Sequence, residues 1–336
     1  MKPIALSNSL CLALGITPSA GLPERHGQVC LANDSLIEQA TYREEVTTFG
    51  IGYADPLRNQ LAGLRDFLAP RRPAGRNAIV TQYDEDQPFE VVDYKKVLRN
   101  PGADFAEVKQ RTSTKVSRLI PNRGLTVRLD RDQLKEKPNW ENMHAQWLID
   151  MLIRASILQG LALASAAAVT DTFTWDSNAN PDLDLKNVMV NILAPAVGFK
   201  PNRALYGEAA TLQRQIAYES QDTAGAFARA ALMSDDQLAT ALGVDRVRTN
   251  AERYNNASGN KVTFLGSKVL LFTGVDGESP EDPSNLVRHV AQASYGGGEY
   301  AVYITEQGVK TVFITVENYE LPVVQHTTGL MEITIQ

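Results

Sequence analysis

The sequence is poor in the residues that carry compact chemistry. It has two cysteines, Cys11 and Cys30, both near the N-terminus and not arranged as C-x-x-C. Two thiols close at most one bridge and cannot build a cysteine-rich zinc site, so they read as reduced thiols of an intracellular protein. Four histidines, His26, His144, His289 and His326, stand far apart, which excludes the H-E-x-x-H metal helix. No G-x-S-x-G turn and no G-x-G-x-x-G fingerprint is present. The run Gly296-Gly297-Gly298 continues into Glu299, where a phosphate loop needs Lys and a hydroxyl residue, and reads as a loop before a strand. Positive charge is not in excess: 33 Lys and Arg against 39 Asp and Glu leave a net charge of −6. That is the wrong sign for a chain whose task is to grip phosphates.

Long apolar runs are also scarce. The run behind Lys2 is broken by Ser7, Asn8 and Ser9, unlike a secretion signal. The most apolar later stretch, Ala155–Val169, contains Gln159 and is too short to cross a bilayer. The acidic groups Asp84-Glu85-Asp86, Asp130/Asp132 and Asp182/Asp184 lack the glycine and closing glutamate of a calcium loop and read as solvated turns and caps. The expectation is therefore a chain with no catalytic residue, no cofactor and no metal, used for binding or structure and not as an enzyme.

What is there is a large, ordinary globular composition. With 336 residues and 43% apolar side chains, the chain can bury roughly 75% of its unfolded surface without disulfides. Residues 1–75 are mixed, with one amphipathic helix in Asp55–Pro70 whose Leu57, Leu61, Leu64 and Leu68 share a face. This reads as an extended arm. Arg71, Arg72 and Arg76 follow as a charged hinge, or one side of a subunit contact.

Residues 76–130 read as β, from Val91, Val97, Val116 and the alternation of Leu125, Val127 and Leu129. Residues 139–168 give the clearest element, a helix capped by Asn139 with Glu141 in its first turn. Trp140, His144, Trp147, Met151, Ala155, Leu158 and Ala162 recur at three and four residues and are the expected packing row. Leu148, Ile149, Leu152, Ile153 and Ile157 widen it until the helix is apolar nearly all round. From 170 onward short strands and helices alternate without a βαβ rhythm, so the class is α+β. "PNRALYG" feeds "EAATLQRQIAYES", "DDQLATALGV" is a short capped helix, "KVTFLGSKVLLF" is two strands broken at Gly266, and the last segment turns back at Gln307-Gly308.

The charge of one stretch stands apart. Phe89–Ile120 has a turn at Asn100-Pro101-Gly102 between strand-like ends. It carries seven basic residues, Lys95, Lys96, Arg99, Lys109, Arg111, Lys115 and Arg118, against four acidic ones, a net +3 that leaves −9 for the rest. A long two-stranded hairpin is marginal alone in water. Its basic residues are expected to rest on an acidic surface of a neighbouring copy.

The order of these parts resembles the major capsid proteins of tailed bacteriophages, the Hong Kong 97-like fold. The segment "TFTWDSNANPDLDLKNVMVNILAPAVGFKPNRALYGEAATLQRQ" is similar to the exit from the spine helix into the central domain. "QLATALGVDRVRTNAERYNNA" followed by "FLGSKVLLF" resembles the later strands. The cover is roughly residues 75–336. The resemblance implies an N-terminal arm (1–75), an extended β-hairpin loop (76–124), a peripheral domain (125–184) holding the spine helix, an axial domain (185–315), and C-terminal strands (316–336) that return to the peripheral domain. It implies hexamers and pentamers in an icosahedral virion shell, assembled in the host cytoplasm around double-stranded DNA that it does not bind specifically, with no membrane. Separate scaffolding, portal and decoration proteins are the partners implied, and the shell is expected to be non-covalent, because no cross-linking lysine can be placed. An encapsulin-like compartment is the alternative within this fold; a soluble enzyme using carboxylates near Asp130 and Asp132 is the alternative outside it.

Overall fold

The computed structural model describes residues 41–52, 56–83, 113–134, 139–221, 232–277, 282–293, 298–307 and 310–336. In chain order these form β1 (Thr41–Tyr42), α1 (Glu44–Gly52), α2 (Pro56–Leu68), β2 (Arg71–Pro73), β3 (Asn77–Tyr83), β4 (Ser113–Leu119), β5 (Asn122–Asp130), α3 (Trp140–Ala167) and β6 (Val169–Phe173). Then come α4 (Pro181–Val188), β7 (Arg203–Gly207), α5 (Glu208–Glu219), α6 (Asp235–Leu242), β8 (Arg246–Asn250), β9 (Arg253–Asn255), β10 (Lys261–Thr263) and β11 (Lys268–Phe272). The last strands are β12 (Leu286–Ala291), β13 (Tyr300–Gln307), β14 (Thr311–Val324) and β15 (Met331–Ile335). The chain divides into two compact units, neither contiguous in sequence: residues 1–52, 124–148 and 301–317 in one, the remainder in the other.

The smaller unit is a sheet of β1, β13, the first half of β14, and β5. β1 meets β13 antiparallel, Thr41 opposite Ile304 and Tyr42 opposite Tyr303, whose rings stand edge-on at 6.1 Å. The alternating burial of β5 matches a strand with one solvated face. Gly124 lets the two strands approach closely there, since a Cβ would lie 3.0 Å from the Val316 carbonyl oxygen.

Among the described residues the larger unit holds two main sheets beside the two-stranded pairs β3-β4 and β9-β10. The second half of β14 pairs antiparallel with β12, and β12 pairs parallel with β2. A separate sheet runs β6-β15-β11-β7-β8. The last strand of the chain is therefore internal, parallel to β6 on one side and antiparallel to β11 on the other. β7 is buried along its whole length, and Tyr206, Val269, Leu271 and Ile333 meet Leu185 and Leu238 of the flanking helices in the main core.

Local chemistry sets the helix ends here. Asn180 accepts from the Leu183 N–H at 3.2 Å, with Pro181 at the first position of α4. Ser234 and Gln237 form a reciprocal capping box on α6, and Gly243 closes it at φ 72°. Residues Met189–Leu193 continue α4 as a π-turn, with Ala194 donating to Met189. Pro195 supplies the cause: it has no N–H for Asn191, and its ring crowds that carbonyl.

The long helix runs 140–167, within a residue of the expected 139–168 at each end. Its packing face is not the expected one. Trp147 is 49% and Met151 37% exposed, Ala155 is exposed, and Trp140, His144 and Leu158 are half-buried. The buried positions are Ala145, Leu148, Ile149, Leu152, Ile153, Ile157, Leu161 and Ala164. The helix is apolar on most sides, so periodicity alone does not choose between its faces. The inward face carries the compact aliphatic residues and two serines that reach carboxylates, Ser156 to Glu320 and Ser165 to Glu332. The helix is long and apolar enough to pass a length-and-composition test for a membrane span, a test that a core helix also passes.

A charge placed on the two sides of this helix separates them. Ala155→Asp should change stability by no more than about 0.5 kcal/mol. Ala164→Asp, at a position with no exposure, should cost several kcal/mol by burying an unpaired carboxylate. Urea denaturation of the two variants checks this; equal losses would place both residues inside.

Candidate interaction surfaces

β3 and β4 form a two-stranded ribbon, paired from Asn77 opposite Leu119 to Tyr83 opposite Ser113, and among the described residues neither pairs with another strand. Its base is anchored. The Ala74 N–H donates to Val290 at 2.9 Å and the Ile120 N–H to Arg76 at 2.9 Å. Ala78 and Ile120 are buried against Ala291 and Tyr319. The Arg76 guanidinium lies 4.1 Å from the centre of the Tyr319 ring and donates to its hydroxyl.

Apart from Ala78, the side chains of the ribbon strands that are described are exposed. Alternation and register put Ile79, Lys115 and Leu119 on one face and Val116 and Arg118 on the other. Ile79 is 62% and Leu119 70% exposed. Of the seven basic contact candidates, Lys115 and Arg118 stand exposed on β4. Lys95, Lys96, Arg99, Lys109 and Arg111 lie outside the described residues, as do Cys11, Cys30, His26, the acidic group at 84–86 and the turn at 100–102.

Of the group read as a charged hinge, or one side of a subunit contact, Arg72 is built into the body, while Arg71 and Arg76 are exposed. Arg72 is buried, with Nε 2.7 Å from the Asp282 carboxylate and Nη2 2.9 Å from the Val275 carbonyl. Arg71 is exposed, and its charge adds to those that hold the Glu299 carboxyl down.

A cluster of buried charges was not visible as a motif. Arg65 of α2 and Arg288 of β12 face Glu299 and Glu320. Arg65 Nη1 lies 2.9 Å from Glu299 and donates to the Tyr300 hydroxyl at 2.6 Å. Arg288 Nη1 reaches Glu299 at 2.6 Å and Glu320 at 3.3 Å, and its Nη2 reaches Asp66 at 2.9 Å. Asn318 donates to Glu320 at 3.2 Å. Burial alone would raise the Glu299 carboxyl, but the Arg65 and Arg288 guanidiniums outweigh it and hold the group below the usual range. Arg65, which burial would lower, is held above its ordinary value by Tyr300 and the carboxylates. The arrangement ties α2 to the sheet through charges that compensate one another.

A second pair corrects the reading of Asp182 as a solvated cap. Asp182 is 9% exposed and grips Arg214 of α5 in a fork, 2.7 Å from Nε and 2.8 Å from Nη2. Asp130 does act as a turn, accepting from the Asp132 N–H at 2.9 Å, and Asp132 pairs with Lys310 at 2.7 Å. Among the described residues no three His, Cys, Asp or Glu gather in a way that would hold a metal ion.

Exposed apolar side chains concentrate on a few helical faces. Met143, Trp147 and Met151 form one row on α3. Leu183, Val190 and Ile192 recur along α4 and its π-turn, and Leu212 and Ile216 stand one turn apart on α5. Single exposed apolar residues are ordinary; rows along one helix face, such as Met143, Trp147 and Met151, are less so.

No protein-family model matches the sequence, and no curated protein matches it. Solved structures do. A phage-related protein from Bordetella bronchiseptica RB50 is 13% identical, with a TM-score of 0.60 over 88% of this chain and 97% of that one. A putative capsid protein of a prophage of E. coli CFT073 is 10% identical, with a TM-score of 0.47 over 88% of this chain and 99% of that one. The encapsulin of a holo-SrpI complex from Synechococcus elongatus PCC 7942 is 14% identical, with a TM-score of 0.46 over 84% of this chain and 95% of that one. Identities of this size speak for fold alone, and with its anchored two-stranded ribbon, its long buried helix and its mixed sheets the chain has the Hong Kong 97-like capsid fold.

Proposed function

We propose that this chain is the major capsid protein of a tailed bacteriophage, a structural subunit that assembles as hexamers and pentamers into an icosahedral shell around double-stranded DNA. The observation that carries the reading is the ribbon. Two strands project from a fixed base with Ile79, Leu119, Lys115 and Arg118 uncovered, and such a ribbon gains stability only when something lies against it. A neighbouring copy of an acidic chain supplies both an apolar seat and the opposite charge. Head-to-tail contacts of this kind close into rings, and rings into a finite shell. The net charge of −6 suits a shell whose packaged DNA is enclosed without being held by phosphate contacts. Scaffolding, portal and decoration proteins are the partners this role would bring.

Electron microscopy of the purified chain tests the reading: closed particles hundreds of ångströms across support it, and a protein that stays monomeric under all assembly conditions overturns it. Particles filled with an enzyme and free of nucleic acid would favour a cargo compartment.

The ribbon itself is tested by Ile79→Asp with Leu119→Asp. Each removes an apolar contact worth about 1.5–3 kcal/mol if the partner covers it, so the association constant of neighbouring subunits should fall by about tenfold or more. Melting temperature should stay within a few degrees of the parent, because both side chains are exposed in the subunit. Normal particle yield from the double variant would show that the ribbon is not a contact.

A further inference from the structure

His289 is the residue the assembly reading leaves unused. It sits on β12 between Arg72 of β2 and Leu321 of β14 in register. It is 7% exposed, and its Nε2 is buried without a hydrogen-bond partner. Arg72 shares its face of the sheet; Arg71, Arg288 and Glu320 register to the opposite face. The charged groups that face the ring are the Arg72 guanidinium from β2 and the Asp282 carboxylate from the segment before β12; β14 offers Leu321.

The Arg72–Asp282 pair is itself the centre of a knot. Asp282 Oδ1 accepts from the Ser284 N–H at 3.1 Å, and Ser284 Oγ accepts from the Val275 N–H at 2.9 Å. Asn285 donates to His326 and Thr328 at 3.0 and 2.8 Å and accepts from Thr273 at 2.6 Å. His326 Nε2 lies 3.2 Å from the Asp282 carbonyl oxygen. One carboxylate thus balances one guanidinium beside a neutral imidazole.

We infer that His289 is an acid-sensitive latch on β2: when its ring is protonated, a second cation stands against Arg72 with one carboxylate between them, and the edge strand separates from β12. The direction of the ring's proton affinity agrees. Burial first, and then Arg72, lower it below the ordinary histidine value, while Asp282 offsets part of this. A histidine whose folded-state affinity is depressed leaves the closed state intact above the unfolded value of about 6.5. It weakens that state as pH falls from there toward the folded value. Because β2 runs directly into β3, and Ala74 bonds to Val290 at the junction, the strand that loosens is the one that carries the base of the ribbon.

Hydrogen exchange on the full chain, corrected for intrinsic rates, measures the opening of residues 70–76 and 286–291. Between pH 7.5 and 5.5 the opening constant should rise, by at most about tenfold, the full linkage available one unit below an exposed histidine's pKa. His289→Gln should flatten that rise, and His144→Gln, on the long helix and outside this knot, should leave it in place. A constant opening, or an equal rise in His289→Gln, overturns the latch. Should His289→Gln not fold, titration of the His289 ring by NMR in the parent chain decides: a pKa at or above 6.5 overturns the inference and a lower one supports it. Neither readout depends on particles forming, so failure of the latch and failure of the shell reading are distinguishable.

Discussion

Glu320→Ala should be among the most damaging single substitutions outside the main core, with an expected loss of about 3–5 kcal/mol in a denaturant titration. The reason is what the substitution leaves behind. Glu320 has no exposed surface; it accepts from Ser156 and Asn318 and faces Arg288 at 3.3 Å and Arg65 at 3.8 Å. With it gone, two guanidiniums that cannot shed their charge share Glu299 and the half-solvated Asp66. Arg288 is already short of one partner, since its Nε is buried without a hydrogen bond. The loss is a large part of the 5–15 kcal/mol a domain ordinarily has. The pairwise origin of the effect is checked by a cycle with Arg288→Met. Removing both members of a buried pair costs less than the sum of the single losses, because the second change removes the charge that the first stranded. Strict additivity would mean that the two residues act independently.

The fold was legible where local pattern decides, and the site was not. The long helix, the strand-to-helix step at Gly207, the capped helix at 235–242 and the return of β13 into β14 follow from periodicity, caps and breakers that act within a few residues. The face of α3 did not follow, because a helix apolar on most sides offers its bulky Trp147 and Met151 and its aliphatic Ile149 and Ile153 equally to the core. The charge cluster joins Arg65 to Arg288, Glu299 and Glu320, which lie most of the chain's length away from it, so no spacing could announce it. Two signals did exist. Arg65 interrupts the leucine face of α2 between Leu61 and Leu68, both buried. Along β14 the inward positions Val312, Ile314 and Val316 are followed in the same alternation by Asn318 and Glu320. A charge that keeps step with a buried row asks for a partner of opposite sign. Asp182 hid for a different reason: a carboxylate at the start of a helix looks like a cap, and only the approach of Arg214 makes it a pair.

Gly207→Ala should prevent the larger unit from folding, with insoluble expression or a loss beyond the 1–3 kcal/mol usual for overpacking. Tyr206 pairs with Val269 in register, which brings the end of β7 against the residues that enter β11. A Cβ on Gly207 would stand 2.0 Å from the carbonyl oxygen of Gly266 and 2.8 Å from its carbonyl carbon. Both are backbone atoms, so no side chain can swing aside. β7 is buried throughout and starts helix α5 directly, so the strand cannot retreat without moving that helix. Gly266 gives the control on the other side of the same contact. Its φ of 63° favours glycine, but a Cβ there meets nothing within 4 Å. Gly266→Ala should therefore cost only the local strain, about 1–2 kcal/mol. Thermal unfolding of the two variants should rank them in that order by a wide margin. A reversed ranking would show that left-handed strain at Gly266, and not the approach of the two backbones, is what requires glycine at this crossing.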